Sequence, residues 1–234
     1  MLKKISKDAM HLSNLGWLES RFHFSFAEYH NPQNMHFGVL RVLNDDIVHP
    51  ESGFGMHPHR DMEIISYVVD GEITHKDSMG NERTLKRGEV QYMSAGSGVL
   101  HSEYNHSKEE DLRLLQIWIL PPEKGLEPMY GEELYTKSER QNRLLNIVSG
   151  KDGSAKIKIH QDVNIYVCEL DAGASVEYSL QEQRQIYFVQ IEGTSDVNGT
   201  LVNDSDAMEI TDENSLSIKA LKKSHFLFIE MKQM

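Results

Sequence analysis

Apolar residues fall in short runs, either alternating with polar ones or unbroken for a few positions, and both patterns predict strands. Gly38-Val39-Leu40-Arg41-Val42-Leu43, Glu63-Ile64-Ile65-Ser66-Tyr67-Val68-Val69 and the run from Leu112 to Leu120 are the clearest. Turn signals separate them at Asp70-Gly71, Gly80-Asn81, Arg87-Gly88 and Gly96-Ser97-Gly98. This spacing predicts an all-β barrel or sandwich. Helical periodicity is weak, and the polar stretch from Glu132 to Leu145, whose few apolar residues are Leu134, Leu144 and Leu145, is expected to be a loop with a helical turn.

The chain also echoes itself. Tyr67-Val68-Val69-Asp70-Gly71 resembles Val189-Gln190-Ile191-Glu192-Gly193 at an offset of 122 residues, and each is followed by an acidic turn and another strand. Two similar β-barrels in tandem would produce this. The Pro121-Pro122-Glu123-Lys124-Gly125 cluster ends a first block and a second β-rich block begins near Leu144, so domains are expected at 1–135 and 136–234.

Composition narrows the partners. The 234 residues carry 24 Lys and Arg against 36 Asp and Glu, a net charge of −12, which repels phosphate backbones and anionic lipid. Direct nucleic-acid contact and membrane-surface binding are therefore disfavoured. No apolar run approaches the roughly 18 residues of a spanning helix. Lys7, Asp8 and His11 stand where a signal peptide would be apolar, and the single Cys168 suits a reducing compartment, so a cytoplasmic location is expected.

Among the 12 histidines, spacing singles out a few. In Gly55-Met56-His57-Pro58-His59 the imidazoles stand two residues apart, and Pro58 keeps the segment extended. On a strand both then point to one side. His101-Ser102-Glu103 repeats the spacing after Gly96-Ser97-Gly98. If the two strands are neighbours, three imidazoles and a carboxylate converge, a donor set suited to Fe(II), Mn, Ni, Co, Cu or Zn and not to Ca or Mg. Glu63 is a competing carboxylate. His23, His30 and His36 lie among aromatics and are read as hydrogen-bonding core or interface residues; Met56, Met62, Met79 and Met93 are candidates to line the cavity. Arg60 and Asp61 are expected to form an ion pair or a polar lip at the site.

The stretch Gly53…His57-x-His59-xxx-Glu63…Gly71 resembles the first motif of the cupin superfamily, and Gly88…Gly96-x-Gly98-xx-His101-xxx-Asn105 resembles the second. A longer set of segments, Trp17 to Ala27, Leu40 to Asn44, His57 to Glu63, Lys76 to Asn81 and Met93 to Glu103, resembles the pirin family from about residue 14 to 120. That resemblance implies two cupin (jelly-roll) barrels packed face to face, a monomer, and one metal, Fe(II) foremost, held in the first barrel by His57, His59, His101 and Glu103. Glu63 then becomes a supporting carboxylate. The 122-residue offset carries His57 and His59 onto Ser179 and Gln181, and His160 and His225 have no such companions, so no second metal site is expected.

The resemblance further implies quercetin 2,3-dioxygenase activity, in which O2 cleaves a flavonol with release of carbon monoxide; a physically sensible scheme gives Glu103, a ligand able to loosen, the part of general base. The competing reading is a non-enzymatic metal-binding, redox-sensing protein that modulates transcription or a metabolic enzyme through protein partners. A metal-free sugar-binding or isomerase cupin ranks last, because it would bury three imidazoles and a carboxylate to no purpose.

Overall fold

A computed structural model of the chain describes residues 1–233. The strands are β1 (Leu2–Ile5), β2 (His11–Asn14), β3 (Leu18–Phe22), β4 (Leu40–Val48), β5 (Ser52–His59), β6 (Glu63–Asp70), β7 (Glu72–Asp77), β8 (Glu82–Lys86), β9 (Glu89–Ser94), β10 (Val99–Asn105), β11 (Leu112–Ile119) and β12 (Met129–Leu134). After a short helix α1 (Lys137–Arg140) come β13 (Leu145–Gly150), β14 (Ile157–Ile159), β15 (Val163–Leu170), β16 (Ser175–Ser179), β17 (Arg184–Glu192), β18 (Thr194–Val197), β19 (Thr200–Asn203), β20 (Ala207–Ile210), β21 (Ser215–Ala220) and β22 (Ser224–Lys232). The all-β architecture expected from the sequence is the one observed.

Two units result. In the first, His11–Leu134, a seven-stranded sheet of order β12-β9-β6-β11-β4-β3-β2 faces a four-stranded sheet of order β5-β10-β7-β8. Alternate residues of both sheets meet in a core that includes Leu18, Val48, Val68, Ile73, Leu85 and Leu114. The second unit repeats this plan, with β1-β20-β17-β22-β15-β13-β14 and β16-β21-β18-β19. Its core is built on Phe188, Phe226, Phe228, Met208 and Ile218.

The internal echo is real at the level of strands. β6 and β17 occupy the same place in the two sheet orders. Each ends on a glycine with positive φ, 73° at Gly71 and 83° at Gly193. A Cβ would lie 2.5 Å from the Asp111 carbonyl at Gly71 and 2.1 Å from that of Lys223 at Gly193, so both turns need the missing side chain.

The two units differ from the expected 1–135 and 136–234 in two respects, since the second takes in Tyr135 and also the first ten residues. Met1–Met10 belong with the unit that begins at Tyr135, because β1 pairs antiparallel with β20, Leu2 opposite Ile210 and Ile5 opposite Ala207. The polar stretch after Glu132 also differs from a plain loop. Its first three residues complete β12 against β9, and the expected helical turn follows as α1.

In the second unit Arg140 and Glu169 are both almost wholly buried, their Nε–Oε1 distance is 2.9 Å, and Arg140 also donates from Nη1 to the Tyr135 carbonyl at 2.8 Å. Glu169→Ala strands the guanidinium and is expected to destabilise the protein by about 3–5 kcal/mol. A melting curve that matched wild type would contradict this.

Candidate metal centre

The site is built on the pairing of β5 with β10, where His101 lies opposite His57 and Val99 opposite His59. Along β5, Met56 and Pro58 are exposed while His57 and His59 turn inward; along β10, Leu100 is exposed while His101 and Glu103 are buried. The register slips between His101 and Glu103, so that Glu103 faces Phe54. Such a bulge re-aims the side chains beside it. Gly53 makes room for it: a Cβ there would sit 2.3 Å from the Glu103 carbonyl oxygen and 2.6 Å from the Tyr104 Cα. Gly53→Ala is expected to push β5 off β10 at a cost of about 1–3 kcal/mol and to weaken metal binding with it. Thermal melting and nickel titration of that variant check both effects.

Three imidazoles converge. The ring centroids lie 4.8 Å apart for His57 and His59, 4.4 Å for His57 and His101, and 4.7 Å for His59 and His101. One ring nitrogen from each falls within 4.8 Å of the others. His57 Nδ1 donates to the Gly55 carbonyl at 2.7 Å, which turns its Nε2 toward the cluster. That Nε2 lies 3.0 Å from His101 Nε2, and His101 Nδ1 is buried without a hydrogen-bond partner. Burial and the neighbouring imidazoles push His59 down to about 4 and His101 down to about 3. Both rings are therefore neutral at pH 7. Two neutral imidazoles gathered against a third, with the buried His101 Nδ1 left unpartnered, are a donor set that fits a borderline divalent cation.

Glu103 is held from behind. Its Oε2 accepts from Gln116 Nε2 at 2.9 Å, and its Oε1 accepts from Ser66 Oγ at 3.1 Å. Ser66 Oγ is also 3.0 Å from Gln116 Oε1, so its single proton has two acceptors. Glu103 groups with His101 and with His75, not with all three motif histidines at once. His75, on β7 opposite Glu103, was not singled out by the sequence reading, although His75-Lys76-Asp77 repeats the two-residue spacing. Its Nδ1 accepts from Gln91 at 2.8 Å and its Nε2 donates to Asp77 at 3.2 Å, which engages both ring nitrogens. Glu63 is fully buried and accepts from the Tyr92 hydroxyl at 2.7 Å.

A cavity of about 240 Å³ opens beside His57, His59 and Glu103. Its apolar walls are Leu15, Leu18, Phe22, Phe26, Phe54 and Trp118, and its polar lining includes Ser20, Asn44, Asp46 and Gln116. Trp118 stands edge-on to His59, with ring centroids 4.9 Å apart. Burial pushes the Asp46 carboxyl up to about 7, against the lowering effect of the Ser20 hydroxyl that donates to it.

None of the four methionines lines the cavity, and two of them are ordinary core residues. Met93 is buried with Ile64 and Val99, Met62 packs on that cluster, and Met56 and Met79 are exposed. Aromatic residues from β3 and the following loop line the cavity instead. Asp61 does not pair with Arg60; it adopts a φ of 51° and accepts from the Gly125 amide at 2.7 Å. Of the early histidines only His23 is buried, while His30 and His36 are exposed. In the second unit β16 and β21 stand where β5 and β10 stand in the first, and neither contains histidine.

Residues 5–119 match the family described as Pirin, and residues 146–231 match the Quercetinase C-terminal cupin domain. A quercetin 2,3-dioxygenase of Escherichia coli K12 is 40% identical over 219 residues, covering 94% of each chain. The chain belongs to the pirin family. Another member, a pirin-like protein of Caulobacter vibrioides, is 42% identical over 216 residues, covering 92% of this chain and 93% of its own. Among solved pirins, the crystal structure of Escherichia coli YhhW in complex with nickel(II) superposes with a TM-score of 0.93 at 38% identity and covers 100% of both chains. The cupin fold is thereby shared, and a divalent metal is consistent with the donors found here.

Proposed function

We propose that this pirin is a metal-dependent dioxygenase that cleaves a flavonol such as quercetin with O2 and releases carbon monoxide, acting in the cytoplasm. The observation that carries the reading is the convergence of His57, His59 and His101, with Glu103 beside His101, next to a cavity whose walls include His57, His59, Glu103 and four aromatic rings. His57, His59, His101 and Glu103 would hold the metal, Fe(II) by preference, with nickel, manganese, cobalt, copper or zinc as substitutes. The bound cation would lower the pKa of the flavonol hydroxyl and bring the ligand and O2 together.

The chain's own residues do the rest. Phe22, Phe26, Phe54 and Trp118 seat a planar aromatic ligand and exclude water. Glu103 is the proton acceptor. When the Ser66 hydroxyl turns from Glu103 Oε1 to Gln116 Oε1, the first oxygen is released to take the proton of the ligand hydroxyl, while Gln116 keeps Oε2 in place. The deprotonated ligand is then electron-rich enough to react with O2.

Oxygen uptake and carbon monoxide release by Fe(II)-loaded protein with quercetin test the reading. Wild type is expected to turn over, and Glu103→Ala and His57→Ala to lose at least about 100-fold in rate. Undiminished turnover in those variants removes the chemistry from this site. Tight metal binding with no turnover in wild type replaces the enzyme by a metal-binding interaction protein.

A further inference from the structure

On β4 the apolar pattern is interrupted by Asn44-Asp45-Asp46. Asp45 forms a two-pronged ion pair with Arg113, at 2.9 and 2.7 Å. Asn44 and Asp46, two residues apart and so on the opposite face, line the cavity and are each 3% exposed. Their neighbours in the sheet are polar too: Gln116 on β11 lies opposite Asn44, and Ser20 on β3 lies opposite Asp46.

A polar row thus crosses the sheet from Ser66 through Gln116 to Asn44. The first two members are committed to Glu103. The Asn44 Oδ1 is buried without a hydrogen-bond partner. Asp46 receives the Ser20 hydroxyl on Oδ1 alone. Leaving such groups unpaired costs about 1–3 kcal/mol each, which a cavity wall tolerates when its occupant supplies the missing donors.

We propose that Asn44 and Asp46 form a hydroxyl-reading wall, which selects ligands bearing phenolic O–H groups on a ring remote from the one that meets the metal. This rests on the flavonol reading above and names its substrate class more closely. Both side chains present oxygen acceptors, on residues about 7 Å apart along the strand, a span that two hydroxyls of one ring can bridge. The apolar residues around them hold the ring faces. A flavonol without ring hydroxyls would leave the Asn44 oxygen unpaired and Asp46 with the Ser20 hydroxyl alone.

The test compares quercetin with 3-hydroxyflavone, which keeps the hydroxyl and carbonyl next to each other but lacks the hydroxyls on the outer rings. Binding to nickel-loaded protein is followed at pH 8, without oxygen, by the change in flavonol absorption. Wild type is expected to bind quercetin at least about tenfold more tightly than 3-hydroxyflavone, the value of one or two hydrogen bonds to polar or charged acceptors. Asn44→Leu and Asp46→Leu are expected to bring that ratio below about threefold, with nickel stoichiometry and 3-hydroxyflavone affinity retained, and Asn44→Asp to preserve it. Equal binding of the two flavonols by wild type overturns the proposal without recourse to any variant, and so does a ratio that survives both leucine substitutions. If neither flavonol binds, the flavonol reading itself falls and takes this wall with it. Binding of 3-hydroxyflavone without a preference for quercetin removes the wall alone.

Discussion

His101→Ala is expected to weaken nickel binding by more than about 100-fold. Changes to groups that merely support metal ligands already cost 10–100-fold, and His101 is the imidazole on which the others converge. It is buried on β10, 3.0 Å from His57 Nε2, and its ring packs against both His57 and His59. Alanine removes that donor and leaves two imidazoles on one strand facing an emptied corner. The effect should exceed that of Gln116→Leu, which leaves every imidazole in place and loosens only one oxygen of Glu103. Calorimetric titration with Ni(II) separates the two. An unchanged dissociation constant for His101→Ala would remove the imidazole cluster as the metal site.

The second large effect concerns pH. Asp46 has its carboxyl raised from 3.8 to about 7 by burial. In the unfolded chain it ionises near 3.8, whereas in the folded protein it keeps its proton up to about 7. Between those values the folded state binds more protons, so this residue makes stability fall as pH rises through the window, with the full cost reached above about 7. Three pH units correspond to about 4 kcal/mol. Asp46→Asn removes the titration, so metal-free Asp46→Asn protein should gain on wild type by several degrees in Tm between pH 5 and pH 8. A difference between the two proteins that stays constant with pH, or one that shrinks, would show that Asp46 is ionised throughout. Metal-free protein is required because a nearby cation would favour the carboxylate.

Much of the architecture can be read in the sequence because strands and turns are locally encoded. β6 and β11 fall on apolar runs visible by eye, and the Asp70-Gly71 turn announces its own positive φ. The two histidine-bearing strands are equally legible, since a two-residue spacing forces both side chains to one face. What periodicity withholds is which face looks inward and what it meets there. Asn44, Asp46 and Gln116 alternate like solvent-facing residues, yet they point into a cavity, because the opposite sheet stands off from them at that level. His75 hides for a related reason: its relation to Glu103 comes from the pairing of β7 with β10, across 28 residues of chain. The methionines mislead because proximity in sequence to a motif strand leaves the direction of the side chain open. β1 carries only four residues with an outward-inward mixture, too little for a pattern to show that it pairs two hundred residues away.

That pairing makes the polypeptide a clasp. The second unit takes one strand from before residue 11, so β20 must be synthesised before β1 can find its mate, whereas 11–134 is contiguous and free to mature first. Produced alone, a fragment starting at Tyr135 would have a bare β20 margin, a template for self-association until a peptide of the first ten residues is added back in trans.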